Sequence, residues 1–277
     1  MLLEFGRSIV SADQLLSSSG SPQIPRDRRI SPVRRRLIKL VDPPNHQAMR
    51  NIPRMLDMVR ESAEPSTRPV VLVIGGGEAG AGTDALYSAG DVDVLGFDIY
   101  RSRLTHFVAD AHCIPLANDS VDGVLIQAVL EHVLEPHRVV SELHRVLRPA
   151  GVVYADTPFL WPVHEGPYDF SRFTDSGHRY LFREFERIDS GLVAGAGMQL
   201  ALSLELFFRS LLRSRTAGAL ARLACFWLPR IDRFLDPRHS IDGASSVYFL
   251  GRKTEAQLSP QGIVGYYQGA QYRDAAG

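Results

Sequence analysis

Five apolar residues, Val70-Val-Leu-Val-Ile74, run without interruption into Gly75-Gly-Gly-Glu-Ala-Gly-Ala-Gly82. An apolar run of that length, closed by glycines, predicts a strand buried on both faces. The glycines let the chain turn sharply and let its backbone come close to a ligand. A second apolar stretch, Val92–Phe97, ends on Asp98. A glycine turn after one strand and a carboxylate at the tip of the next suit a nucleoside: backbone packs against it, and the acid accepts hydrogen bonds from the ribose hydroxyls. The chain is therefore expected to be an α/β protein that binds an adenosine-containing cofactor.

The same alternation continues downstream. Thr83 is placed to cap a helix over Asp84–Ala89, His106–Ala109 reads as a short third strand, and Val121–Ile126 as a fourth, entered through Asn118-Asp-Ser120. Pro136–Arg148 is the clearest helix: Val139, Val140, Leu143, Val146 and Leu147 form one face, Pro136 suits its first position and Pro149-Ala-Gly151 stops it. Val152–Asp156 is then a fifth strand. Strands alternating with helices predict a doubly wound sheet. Upstream, Ile52, Leu56 and Val59 mark a short helix over Ile52–Ala63. Further on, Tyr180–Phe185 reads as a helix, Arg187–Val193 as a strand, Met198–Leu212 and Ala217–Leu228 as two apolar helices, and Val247–Gly251 as a final strand. The expected organisation is an arm and short helix over 1–66, a domain over 67–253 with a helical insertion at about 198–235, and a flexible, Gly-rich tail over 254–277.

A formal net charge of zero gives no sign of a nucleic-acid partner, and two cysteines, Cys113 and Cys225, make neither a disulfide framework nor a cysteine-rich zinc site. The opening MLLEFGRSIV lacks the basic start and apolar core of a signal peptide, and no stretch approaches the roughly 18 uncharged apolar residues of a spanning helix. A cytoplasmic protein is expected. Arg26, Arg28, Arg29, Arg34, Arg35 and Arg36 form a basic cluster, read as a solvated arm with phosphate contact as the alternative.

Further signals follow the glycine turn in order: Asp110-Ala111 after the third strand, Ile114-Pro-Leu116 and Asp119-Ser-Val-Asp122 before the fourth, Leu130-Glu-His-Val133 after it, and Arg145-Val-Leu-Arg-Pro-Ala-Gly151 leading into the fifth. This series resembles the class I S-adenosylmethionine-dependent methyltransferases, in particular their type 11 group, over about Val70 to Thr157. The resemblance implies a Rossmann-like, doubly wound, seven-stranded and mostly parallel sheet with a reversed last strand, Val247–Gly251, plus helical additions. It implies S-adenosyl-L-methionine as cofactor, with Gly75, Gly76 and Gly77 against its methionine and ribose, Asp98 and Ile99 at the ribose, Asp110, Ala111 and His112 at the adenine, and Gln127 at the methionyl end. The group often carries an acid two residues before the first glycine. Val73 stands there, so that contact with the cofactor's amino group must come from elsewhere or be missing. Glu131 and His132 open a helix beside the cofactor in this group and are read as architectural.

Ligands bind at the carboxyl ends of parallel strands, so acceptor chemistry is expected in the loop Pro158–Thr174. Phe159, Trp161, Tyr168 and Phe170 supply apolar walls, and similar His-x-x-Pro-x-Asp-x-x-Arg-Phe-Thr stretches occur in type 11 enzymes tied to glycan or cell-surface metabolism. His164 is the first candidate for a general base, because its ordinary pKa lies near neutrality; the other reading is a loop buttress bonded to Asp169. Asp169 is the second catalytic candidate. Trp161, Tyr168 and Arg172 are candidates for substrate binding, Arg172 either gripping an anion or pairing with Asp169. Thr174 looks like a helix cap. His164, Asp169 and His178 show no recognised ligand spacing, and no metal is expected. The apolar helices at 198–228, flanked by Arg209, Arg213, Arg215 and Arg222, read first as a pair packed on the core or in a dimer interface, and otherwise as a lid or a peripheral membrane contact.

The expected function is methylation of a small molecule, a sugar or a lipid-linked intermediate, with oxygen as acceptor atom. The alternatives are an NAD(P)-dependent oxidoreductase, which explains the glycines and Asp98 only, and a non-catalytic nucleoside-binding protein. A nucleic-acid substrate is disfavoured by the zero net charge and by Gln127-Ala-Val-Leu130 after the fourth strand.

Overall fold

A computed structural model describes residues 40–41, 43–63, 67–267 and 269–272. The basic cluster Arg26–Arg36 lies outside them. Helix α1 (His46–Ser62) leads into β1 (Val70–Ile74), followed by α2 (Asp84–Ser88), β2 (Asp93–Asp98), β3 (Phe107–Val108) and β4 (Val121–Gln127). Then come α3 (Pro136–Val146), β5 (Leu147–Pro158), α4 (Asp175–Leu181), β6 (Phe185–Ala194), α5 (Ala196–Leu211), α6 (Arg215–Ala224), α7 (Leu228–Ile231), α8 (Pro237–Ser240), β7 (Ser246–Lys253) and α9 (Pro260–Tyr266).

The strands form one seven-stranded sheet in the order β3-β2-β1-β4-β5-β7-β6. β1 pairs in parallel with β2 and β4, and β4 with β5, whereas β7 runs antiparallel between β5 and β6. The reversed strand stands where the resemblance implies it. Side chains of β1 alternate: Val70, Leu72 and Ile74 enter the apolar layer under α3, with Val139, Val140, Leu143 and Phe249. Val71 and Val73 enter the layer under α1, with Ile52, Met55, Val59, Leu125, Tyr154 and Leu250.

Several boundaries differ from the sequence reading, each for a local reason. Helix α1 begins at His46 rather than Ile52, because the Asn45 side chain accepts from the Ala48 N–H at 2.9 Å and caps it. Residues 46–62, set apart with the arm by the sequence, are packed into the core through Ala48, Ile52, Met55, Leu56 and Val59. Thr83 donates to the Gly80 carbonyl at 2.8 Å and makes no side-chain cap on α2. Helix α3 stops at Val146, since Leu147 already pairs with Val121 in the sheet. Helix α4 covers Asp175–Leu181 instead of Tyr180–Phe185, and the Thr174 hydroxyl caps it at the Gly177 N–H. The reading of Ala217–Leu228 as one helix fails at Ala224; Pro229 cannot continue a helix and instead sits in the first turn of α7. The segment read as a flexible tail contains α9, opened by a Ser259 cap and Pro260.

Candidate active site

The parallel strands β1, β2 and β4 deliver their carboxyl ends to one edge, where the glycine segment crosses. Gly75 has φ +70°, a left-handed conformation that favours glycine, and a Cβ there would lie 2.3 Å from Val129 Cγ2. A Cβ on Gly77 would lie 2.6 Å from Asp98 Oδ2. The Gly77 N–H donates to that oxygen at 2.9 Å and the Ile99 N–H to Oδ1 at 2.7 Å. Asp98 thus ties the tip of β2 to the glycine turn, and each oxygen keeps a lone pair for a further donor. The Ile99 side chain is exposed. A backbone stripped of side chains beside an anchored carboxylate fits the ribose end of S-adenosylmethionine.

At the tip of β3, Asp110 Oδ1 accepts from the His112 N–H at 2.9 Å and lies 2.6 Å from its Nδ1. Because His112 Nε2 accepts from the Glu135 N–H at 3.2 Å, the ring proton sits on Nδ1. Desolvation raises the Asp110 carboxyl, and the His112 N–H groups more than offset it, leaving it below its ordinary value. Ala111 beside it is buried in the core layer.

Gln127, at the tip of β4, joins three parts. Its Nε2 donates to the Ala81 carbonyl at 3.2 Å and to Asp156 Oδ2 at 2.9 Å. Asp156, at the end of β5, also accepts from Asn45 Nδ2 at 3.0 Å. It is a buried acid that sequence reasoning treated only as a strand end. Burial pushes its carboxyl up to about 6, against the hydrogen bonds from Gln127 and Asn45. Val73 could not take this role, because its side chain lies in the apolar layer under α1.

The loop after β5 is held from within. The Arg172 guanidinium bridges both oxygens of Asp169 and donates to the carbonyls of Trp161, Pro162 and Ser171. All five of its N–H donors are engaged, which leaves none for an anionic substrate. The Asp169 carboxyl, also accepting from the His164 N–H at 2.9 Å, is lowered to about 2 by Arg172 above all. Both Asp169 oxygens are engaged, by Arg172 and by the His164 N–H, so the pair braces the loop from within. His178 lies elsewhere, buried against Thr157 Oγ1 at 2.9 Å, and burial lowers it to about 3. Trp161 is half-buried and Tyr168 exposed.

His164 instead approaches two residues of the turn after β4. Its Nε2 lies 3.2 Å from His132 Nε2 and 3.6 Å from Glu131 Oε1. The Glu131 carboxylate is the chief cause that raises the His164 imidazole above its ordinary value, against desolvation. A separate cleft of about 720 Å³, over β6 and β7, is lined by Arg50, Asp189, Tyr248 and Tyr266 and holds none of the predicted site residues.

Residues 72–155 match the family model described as a methyltransferase domain. No curated protein matches the chain. Among solved structures, a putative sarcosine dimethylglycine methyltransferase from Galdieria sulphuraria is similar at 13% identity and TM-score 0.48, covering 88% of this chain and 97% of that one. A SAM dependent methyltransferase from Archaeoglobus fulgidus is similar at 13% identity and TM-score 0.48, covering 78% and 97%. The 1,6-didemethyltoxoflavin-N1-methyltransferase of Burkholderia thailandensis, solved with S-adenosylhomocysteine, is similar at 17% identity and TM-score 0.43, covering 75% and 79%. The nicotinamide alternative gives way to this match: residues 72–155 are an S-adenosylmethionine-dependent methyltransferase domain of the type 11 group.

Proposed function

We propose that the chain methylates a hydroxyl of a small acceptor, a sugar or a lipid-linked intermediate, held between the strand tips and the loop Pro158–Thr174. S-adenosylmethionine supplies an electrophilic methyl group. Asp98 takes the ribose hydroxyls, the glycine turn lies along the methionine part, and Asp110, Ala111 and His112 border the adenine. Asp156 replaces the acid that the group often carries at the position of Val73. Asn45 and Gln127 orient it, and the start of α1 sets a positive helix end beside it. A buried carboxylate so placed suits the cofactor's ammonium group.

The observation that carries the oxygen assignment is the character of the groups on the acceptor side. Val129 borders Gly75, and the next turn presents Glu131 and His132 to His164. Glu131 offers two acceptor oxygens. The Nδ1 atoms of both histidines face backbone carbonyls, so their Nε2 atoms offer lone pairs. A hydroxyl donates into such a set and must give up its proton as it is methylated, a proton that an imidazole lone pair can take. Trp161 and Tyr168 supply the wall, and alignment with exclusion of water does the rest. Transfer of isotopically labelled methyl to a panel of sugars, lipid-linked sugars and amines tests this reading. Product methylated on nitrogen alone would overturn it.

A lipid-linked acceptor is favoured by one further observation. Phe207, Leu211 and Leu212 at the end of α5 and Leu220 on α6 are exposed, beside Arg209, Arg213 and Arg215. Among the described residues no helix is long and apolar enough to cross a membrane. This face suits peripheral contact with anionic lipid. Flotation with anionic vesicles checks it, and equal recovery with neutral and anionic vesicles would refute it.

A further inference from the structure

Glu131 is fully buried, and neither of its carboxylate oxygens has a hydrogen-bond partner. An unpaired buried carboxylate is expensive, so an observed one asks for an explanation. Its Oε1 lies 3.7 Å from His132 Nε2 and 3.6 Å from His164 Nε2, too far for hydrogen bonds. The two Nε2 atoms are 3.2 Å apart. Behind them, His132 Nδ1 is 2.7 Å from the Tyr168 carbonyl and His164 Nδ1 is 3.3 Å from the Pro162 carbonyl. A carbonyl only accepts, so each Nδ1 carries a hydrogen, which leaves Nε2 as the atom through which each ring would bind an ion. Two imidazole Nε2 atoms and a carboxylate oxygen thus converge within 3.7 Å of one another.

We propose that Glu131, His132 and His164 bind one divalent transition-metal ion, which takes the lone pairs of these atoms itself and offers its open coordination position to the acceptor's oxygen in their place. The dimensions fit. Tetrahedral coordination at about 2.0–2.1 Å places ligand atoms about 3.3–3.4 Å apart, within a few tenths of the triangle found here. An imidazole whose far nitrogen donates to a backbone carbonyl is the usual form of a histidine ligand, because that bond fixes the tautomer and the ring. Two imidazoles and one carboxylate suit zinc and its transition-metal neighbours rather than magnesium or calcium, which prefer oxygen. Two ligands come from the turn after β4 and the third from the loop after β5. The ion therefore fastens the acceptor loop to the sheet tip. The sequence grouped His164 with Asp169 and His178, its neighbours in the chain, whereas the fold pairs it with a turn 32 residues earlier.

The test uses the full-length chain with any affinity tag removed, stripped with chelator and titrated with Zn²⁺ by calorimetry and with Co²⁺ by visible absorption. One ion per chain, bound at micromolar affinity or better, with tetrahedral Co²⁺ bands, is expected. His132→Ala and His164→Ala should each weaken binding by about 100-fold or more, while exposed His137→Ala leaves it unchanged. Retained S-adenosylhomocysteine affinity in the variants shows that they fold. No uptake tighter than about 100 μM by the unmodified chain overturns the proposal, and that titration decides even if a variant does not fold. Uptake undiminished in both variants overturns it too. Metal uptake is read without methyl transfer, so failure of this site and failure of the acceptor assignment are separate results.

Discussion

Asp156→Asn should make the protein more stable and bind its cofactor less well. The folded chain holds this carboxyl at about 6, against 3.8 for an unperturbed aspartate. Between those values the folded state binds more protons than the unfolded state, so stability falls as pH rises through the window from about 4 to about 6. Above it the full shift is felt, about 3 kcal/mol at about 1.4 kcal/mol per pH unit. Asparagine carries no charge and removes that term. It also weakens the bonds from Asn45 and Gln127, which offsets about 1 kcal/mol. The net gain at pH 8 is about 1–3 kcal/mol, or several degrees in Tm at about 2–4 °C per kcal/mol for a chain of this size. Thermal unfolding of both proteins across pH 4–8 reads this. The difference should vanish near pH 4, grow to about pH 6 and then level off. S-adenosylmethionine affinity should fall about 10- to 100-fold at pH 8, because a charge-assisted bond of about 1.5–3 kcal/mol to the ammonium group is lost. A variant no more stable than the parent at pH 8 refutes the burial argument. Unchanged affinity refutes the ammonium contact.

Other expectations follow from the same geometry. Asp98→Ala removes both the ribose partner and the anchor of the Gly77 N–H, and calorimetry should show S-adenosylmethionine binding weaker by about 10-fold or more. Gly77→Ala puts a methyl group within 2.7 Å of Tyr100 and Asp98, so binding should fall while far-ultraviolet circular dichroism stays unchanged. Arg172→Ala leaves the buried Asp169 carboxylate without its cation, costing about 2 kcal/mol after allowance for the partial exposure of Arg172. Hydrogen exchange should then accelerate over 159–174 before it does in the sheet.

What could be read from the sequence was local. The buried strand, the glycine turn and Asp98 fall within 29 consecutive residues, and burial of β1 on both faces follows from its unbroken apolar run. The Asp169–Arg172 pair, three residues apart, was also within reach as one of two readings. Asp156 was not, because its partners lie 111 and 29 residues away and nothing near it says which strand tips will meet. The same holds for His164. Its partner turn was visible, but its approach to that turn depends on how the loop after β5 folds back. Two overlooked features did have signals. Asn45 before Ala48 marks a helix start, and Ser259-Pro260 marks another that the Gly-rich composition of the tail obscured.

The placement of α1 carries a consequence for biosynthesis. Its apolar face is covered jointly by β1, β4, β5 and β7. On the ribosome this helix emerges before the strands that cover it, and the last covering residues, Tyr248 and Leu250, follow about 190 residues later, roughly 10–40 s at about 5–20 residues per second. During that interval the nascent chain displays Ile52, Met55 and Val59 with only part of their final cover. The segment whose Asn45 holds Asp156 is thus open to holdase chaperones during synthesis.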